Sequence, residues 1–82
     1  MEIEVRLFAR ARDLADQEHI QVQLTADAHT VADLKAAIAE QFPALSPLVP
    51  HLHVALGTDY ADDTTTLDSS QSVSCFPPVS GG

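Results

Sequence analysis

The sequence predicts a two-layer α+β fold in which one main helix covers a mixed sheet of four to five strands. Three observations carry that expectation. Apolar residues alternate with polar ones at both ends of the chain, as in half-buried strands. Between them the apolar period changes from two to three and four. The chain has 82 residues, enough for one core and too few for a second domain.

The elements follow in order. Ile3, Val5 and Leu7 alternate with Glu2, Glu4 and Arg6, which marks a first strand. From Ala9 to Asp16 the alternation stops, and the segment reads as a loop or a short helical turn. Ile20, Val22 and Leu24, set between His19, Gln21 and Gln23, form a second strand expected to pair antiparallel with the first. Thr30 followed by Asp33 resembles a capping box with Asp in the place of Glu, so the helix starts there. Val31, Leu34, Ile38 and Phe42 share one helical face, and Pro43 ends the ladder. Pro43, Pro47 and Pro50 punctuate a stretch with room for one short turn around Leu45, Leu48 and Val49. Val54 and Leu56 make a third strand beginning near His53, and a minimal strand is expected around Tyr60 within the polar run Thr58 to Thr66. Leu67 is a lone apolar anchor. Val73 and Cys75 alternate with Ser74 and Phe76 in a last strand that stops at Pro77 and Pro78. The first and last strands, both regular and apolar, suit a parallel central pair. Residues 1–76 are thus read as the folded domain and 77–82 as a flexible tail.

Composition narrows the function. Four Lys and Arg stand against 12 Asp and Glu, a formal net charge of −8, which argues against a nucleic-acid partner. The acidity suits either a partner with a basic surface or plain solubility. The single cysteine, Cys75, excludes an internal disulfide. There is no basic-then-apolar leader and no apolar run of about 18 residues, so a cytoplasmic protein without a membrane partner is expected. His51 and His53 read as a solvated pair rather than metal ligands, and Asp59, Asp62 and Asp63 as a solvated turn. Cys75 has no nearby cation in sequence and reads as a buried thiol. No glycine precedes Gly57, so no phosphate-cradling loop exists. No metal site, bound cofactor or catalytic constellation is expected.

The remaining feature is the end of the sequence. Two of its three glycines are Gly81 and Gly82. At average glycine usage a chain ends in such a pair by chance about one time in 200. The segment from Pro77 spans roughly 20 Å when extended, with a root stiffened by Pro77 and Pro78 and a tip free of side chains. Such a segment can thread a narrow channel and present a carboxylate; the plain alternative is a frayed terminus. Phe76 also has two readings: an exposed anchor for a partner, or a ring packed beneath the Pro-rich segment.

Phe76-Pro77-Pro78-Val79-Ser80-Gly81-Gly82 resembles the C-terminal motif of the small subunits of molybdopterin synthase, the MoaD family of ThiS-like sulfur carriers. Val5-Arg6-Leu7-Phe8-Ala9 with Arg12-Asp13-Leu14, Thr30-Val31 with Leu34, and Val54-Ala55-Leu56 resemble that family's first strand and turn, helix start and third strand. The resemblance spans nearly the whole chain, and the tail motif is its most specific part. It departs at Ser69-Ser70-Gln71-Ser72, where the family often has an acidic turn, at Gly57 in place of Asn, and at Cys75.

The resemblance implies a β-grasp, ubiquitin-like fold and a sulfur carrier that is no enzyme on its own. An E1-like adenylyltransferase would use ATP to activate Gly82, which then bears a thiocarboxylate. Gly81 would give narrow access, and Phe76, Pro77, Pro78, Val79 and Ser80 would contact partners, among them the large synthase subunit. Two alternatives are a ubiquitin-like modifier joined through Gly82 to lysines, and a sulfur carrier of another pathway. A stand-alone interaction domain is a third.

Overall fold

In the computed structural model the described residues are 1–25, 27, 29–68 and 71–77. Five strands form a single mixed sheet in the order β2-β1-β5-β3-β4. The strands are β1 (Glu2–Leu7), β2 (His19–Gln23), β3 (His53–Leu56), β4 (Asp59–Ala61) and β5 (Val73–Phe76). β1 and β5 are the parallel central pair, with Val5 opposite Val73 and Leu7 opposite Cys75. The other three pairings are antiparallel. This is the β-grasp, ubiquitin-like arrangement, and each predicted strand is present.

Alternation decides which face is buried. Ile3, Val5 and Leu7 point inward from β1, Ile20 and Val22 from β2, and Val73 and Cys75 from β5. Helix α2 (Val31–Gln41) covers this face with Val31, Leu34 and Ile38, all fully buried. Leu45, Val49 and Leu52 continue the core through two short 3₁₀ turns, Pro43–Leu45 and Val49–His51. Leu67 is buried in the same cluster, as an isolated apolar anchor requires.

The segment after β1 is more regular than its sequence suggests. Ala9–Ala15 is a seven-residue helix, α1, with Ala11 buried. Its inward face is two alanines, Ala11 buried and Ala15 partly so, and the periodic signal is too weak to distinguish it from a turn. Ala9 has φ +53 and Asp16 φ +57. These two left-handed residues turn the chain into and out of the helix, at a steric cost of about 1 kcal/mol each for a residue with a Cβ. Gly57, at φ +64, closes the two-residue β3–β4 connection without that cost.

The start of α2 is the capping box expected from Thr30 and Asp33. Thr30 Oγ1 accepts from the Asp33 N–H (3.3 Å), while Asp33 Oδ2 accepts from the backbone of Thr30 (3.1 Å) and His29 (3.0 Å) and from the Thr30 hydroxyl (2.9 Å). The next donors of the first turn are met by a strap from residues 62–67: Val31 N–H donates to the Thr65 carbonyl and Ala32 N–H to that of Asp63, both at 3.0 Å. The hydrogen bonds from Thr30 hold the Asp33 carboxyl below its ordinary range. Those from Thr64 and Thr65 do the same for Asp62.

A carboxyl whose pKa is lowered on folding favours the folded state above its unfolded value, about 3.9, and that contribution fades as pH falls through the folded value. Thr30→Ala is therefore expected to cost about 1 kcal/mol at neutral pH. The gap from wild type narrows as pH falls through the folded value of Asp33, below which its carboxyl is protonated in both proteins. Urea unfolding of the two across acidic pH measures it; a gap independent of pH would show that the hydrogen bond from the Thr30 hydroxyl to the Asp33 carboxylate contributes nothing.

Candidate functional site: an aromatic patch at the root of the tail

β5 runs up the centre of the sheet and delivers the chain to Pro77. Its two neighbours fix where Phe76 lies. Arg6 is opposite Ser74 across the parallel pair, so Phe8, two residues further, comes beside Phe76 on the face away from α2. On the other side His53 is opposite Phe76, and Ala55 is opposite both Tyr60 and Ser74.

The side chains join across this register. The rings of Phe8 and Phe76 stack with centroids 4.8 Å apart and planes 18° from parallel. Tyr60 meets Phe76 edge-on at 6.2 Å and 69°, and His53 meets Tyr60 at 6.2 Å and 68°. Both distances lie within the range of favourable ring pairs. The Arg6 guanidinium carbon sits 4.9 Å from the Phe8 ring centroid while one of its nitrogens is 3.6 Å from Glu18.

Phe76 thus follows neither of its two sequence-based readings alone. It is half-buried, not because it enters the core but because Phe8 covers one side of it. Tyr60 is the exposed edge of the group, with 78% of its surface open. A row of four rings on an open sheet face, flanked by a guanidinium, is the composition that protein interfaces favour. Phe8 and Tyr60 were not singled out as members of a site. Phe8 could have been found by extending the outward face of β1, Glu2, Glu4 and Arg6, by two residues.

Pro77 is half-buried directly after this row. Pro78, Val79, Ser80, Gly81 and Gly82, to which the sequence assigns partner contact and carboxyl chemistry, lie outside the described residues. The last strand, β5, ends at Phe76.

The other candidates take structural places. His51 and His53 are both exposed, and His53 joins the ring group. The three carboxylates around β4 divide: Asp59 lies in the strand, Asp62 accepts from Thr64 and Thr65 within its turn, and Asp63 pairs with Lys35 at 3.0 Å. Among the described residues no three His, Cys, Asp or Glu are grouped to hold a metal ion. No helix among them is long and apolar enough to cross a membrane.

Cys75 is fully enclosed, and burial pushes its thiol up to about 12, against a smaller opposing effect of the Lys35 charge. The thiolate is the reactive form, so this sulfur is withheld from chemistry at neutral pH although it lies two residues from Pro77. Folded protein is expected to leave an aromatic disulfide reagent unreduced, and urea-unfolded protein to react with one equivalent. Full reaction in native buffer would contradict the placement of Cys75.

Comparison with known proteins agrees with the fold. The ThiS family model matches residues 5–82. The molybdopterin synthase sulfur carrier subunit of Chlamydomonas reinhardtii is 34% identical over 84 residues, covering all of both chains. The crystal structure of small archaeal modifier protein 1 from Haloferax volcanii superposes with a TM-score of 0.80 at 27% identity, covering 95% of this chain and 98% of that one. A chain in the complex of subunits 1 and 2 of the molybdopterin-converting factor from Helicobacter pylori superposes with a TM-score of 0.66 at 26% identity, covering all of both chains.

Proposed function

The chain belongs to the ThiS family, and on that premise we propose that it carries sulfur as a thiocarboxylate on Gly82 for molybdopterin synthesis. The observation that carries the reading is the aromatic row at the end of β5, where the chain passes from a rigid central strand into Pro77 and the glycine-ended segment. A rigid docking face beside a thin reactive segment lets a partner hold the carrier while the carboxyl end reaches into that partner's pocket.

The chemistry needs no catalytic side chain from the carrier. A carboxylate is a poor acceptor. Attack of its oxygen on the α-phosphorus of ATP, with loss of pyrophosphate, gives an acyl-adenylate with a good leaving group. A sulfur donor then displaces AMP and leaves the thiocarboxylate, a soft nucleophile. Gly82 removes hindrance at the reacting carbonyl and Gly81 lets the segment enter a narrow channel. An E1-like adenylyltransferase supplies the first step, and the large subunit of molybdopterin synthase receives the sulfur to build the dithiolene of the pterin. The carrier binds no cofactor itself; ATP belongs to the activating enzyme. Both partners are met in the cytoplasm through Phe76, Pro77, Pro78, Val79 and Ser80, with Phe8 and Tyr60 completing the face. The Helicobacter pylori complex of subunits 1 and 2 supports a large-subunit partner.

A second reading is supported by the likeness to small archaeal modifier protein 1: the same activated Gly82 would be joined to lysine amines of target proteins. Native mass spectrometry of the chain mixed with a molybdopterin synthase large subunit separates the two. The carrier reading predicts a stable complex. No complex at micromolar concentration, with lysine conjugates found in cells, would overturn it in favour of the modifier.

A further inference from the structure

We infer that this chain's only lysine, Lys35, is a slow acyl acceptor, because Asp63 masks its amine from the activated carboxyl end of another copy. The inference takes its biological meaning from the activated Gly82 proposed above, and its test does not depend on it.

An acyl-adenylate reacts with any accessible amine. The amine nitrogen attacks the carbonyl carbon, AMP departs, the nitrogen loses a proton to solvent, and an amide remains. A carrier that met its own copies in the activated state would be consumed in that way. The other three cations, Arg6, Arg10 and Arg12, are guanidinium groups, which stay charged and are not acyl acceptors at neutral pH. Lys35 is therefore the one side-chain amine in the sequence; the other amine, the α-amino group of Met1, donates to the Leu24 carbonyl at 2.8 Å.

Its position answers that hazard. Lys35 projects from the second turn of α2 with only 20% of its side chain exposed, unusually little for a lysine on a helix. Its Nζ lies 3.0 Å from Asp63 Oδ1. Asp63 is not a freely moving surface partner. Its carbonyl accepts from the Ala32 N–H at the start of the same helix (3.0 Å), and the preceding Asp62 anchors the turn through Thr64 and Thr65. The strap that satisfies the first turn of α2 thus carries the carboxylate to the amine three residues along the helix. A two-sided hold of this kind loses less side-chain entropy on pairing than a pair of free surface chains.

The test is acylation of the full chain by the N-hydroxysuccinimide ester of acetic acid, with Nα-acetyl-lysine amide in the same solution as the unmasked amine. Peptide mass spectrometry follows acetylation at Lys35. In folded wild type Lys35 is expected to react about fivefold more slowly than the free amine, the scale of a well-formed ion pair. D63N and D63A should both raise its rate towards the free amine, and in urea the wild-type rate should match it. Circular dichroism establishes that the two variants are folded. Reaction of wild-type Lys35 at the free-amine rate, or a folded D63N as slow as wild type, would overturn the assignment. Because the reagent is itself the acyl donor, neither result says anything about whether Gly82 is ever activated.

Discussion

Replacing Phe76 by alanine is expected to weaken binding of a molybdopterin synthase large subunit by about 2 to 4 kcal/mol, roughly 30- to 700-fold in Kd. The size follows from where the ring sits. It is the centre of the row, stacked on Phe8 at 4.8 Å and met edge-on by Tyr60 at 6.2 Å. Removing it deletes its own contact area and leaves both neighbours without a wall. The fold should survive. Phe76 is half-buried and lies outside the core cluster, which is closed by Cys75, Val73 and Leu7. The lost ring pairs are worth about 0.5–1.5 kcal/mol each against a typical domain stability of 5–15. Tyr60→Ala should weaken binding less, since Tyr60 is the open edge of the group. Titration calorimetry with thermal unfolding of the same samples reads both quantities. Unchanged affinity in a folded Phe76→Ala protein would remove the aromatic row from the interface.

Deleting Gly81 and Gly82 is expected to abolish sulfur transfer entirely while leaving stability within about 0.5 kcal/mol, the usual range for changes away from packed features. Among the described residues, every member of the buried cluster lies between Ile3 and Cys75. The shortened chain should still bind the large subunit through Phe8, Tyr60 and Phe76, and so act as a competitor of the intact carrier. Restoration of molybdopterin synthesis by the deleted form in a deficient strain would show that the chemistry lies elsewhere. This separation of docking from reaction is a consequence of placing the two on different parts of the chain.

The strands and the main helix were legible in the sequence because each has one buried face. Ile3, Val5 and Leu7 can only alternate into a core, and Val31, Leu34 and Ile38 can only do so on a helix. Thr30 with Asp33 marked the helix start for the same local reason. α1 was not legible as a helix, since Ala11 alone carries its buried face. Nor was the aromatic row, because its members come from the residue after β1 and from β3, β4 and β5, and meet only through register. Sequence placed Phe76 on the outward face but could not show that Phe8, 68 positions earlier, would cover it. Asp63 shows the same limit. Within its run it reads as part of a solvated turn, and its ion pair with Lys35 depends on the strap crossing the start of α2. The feature on which the proposed function most depends, the Pro-Pro and Gly-Gly pairs near the end of the sequence, needs no tertiary structure to be read.

The most direct test of the sulfur-carrier claim is intact-mass spectrometry of the full chain after incubation with its activating enzyme, ATP and a sulfur donor, with fragment ions to locate the change. The account predicts a mass gain equal to one sulfur replacing one oxygen, confined to Gly82, while Cys75 remains a free thiol. An unmodified carboxyl group at Gly82 under conditions that activate another member of the family, or sulfur found on Cys75 instead, would contradict it.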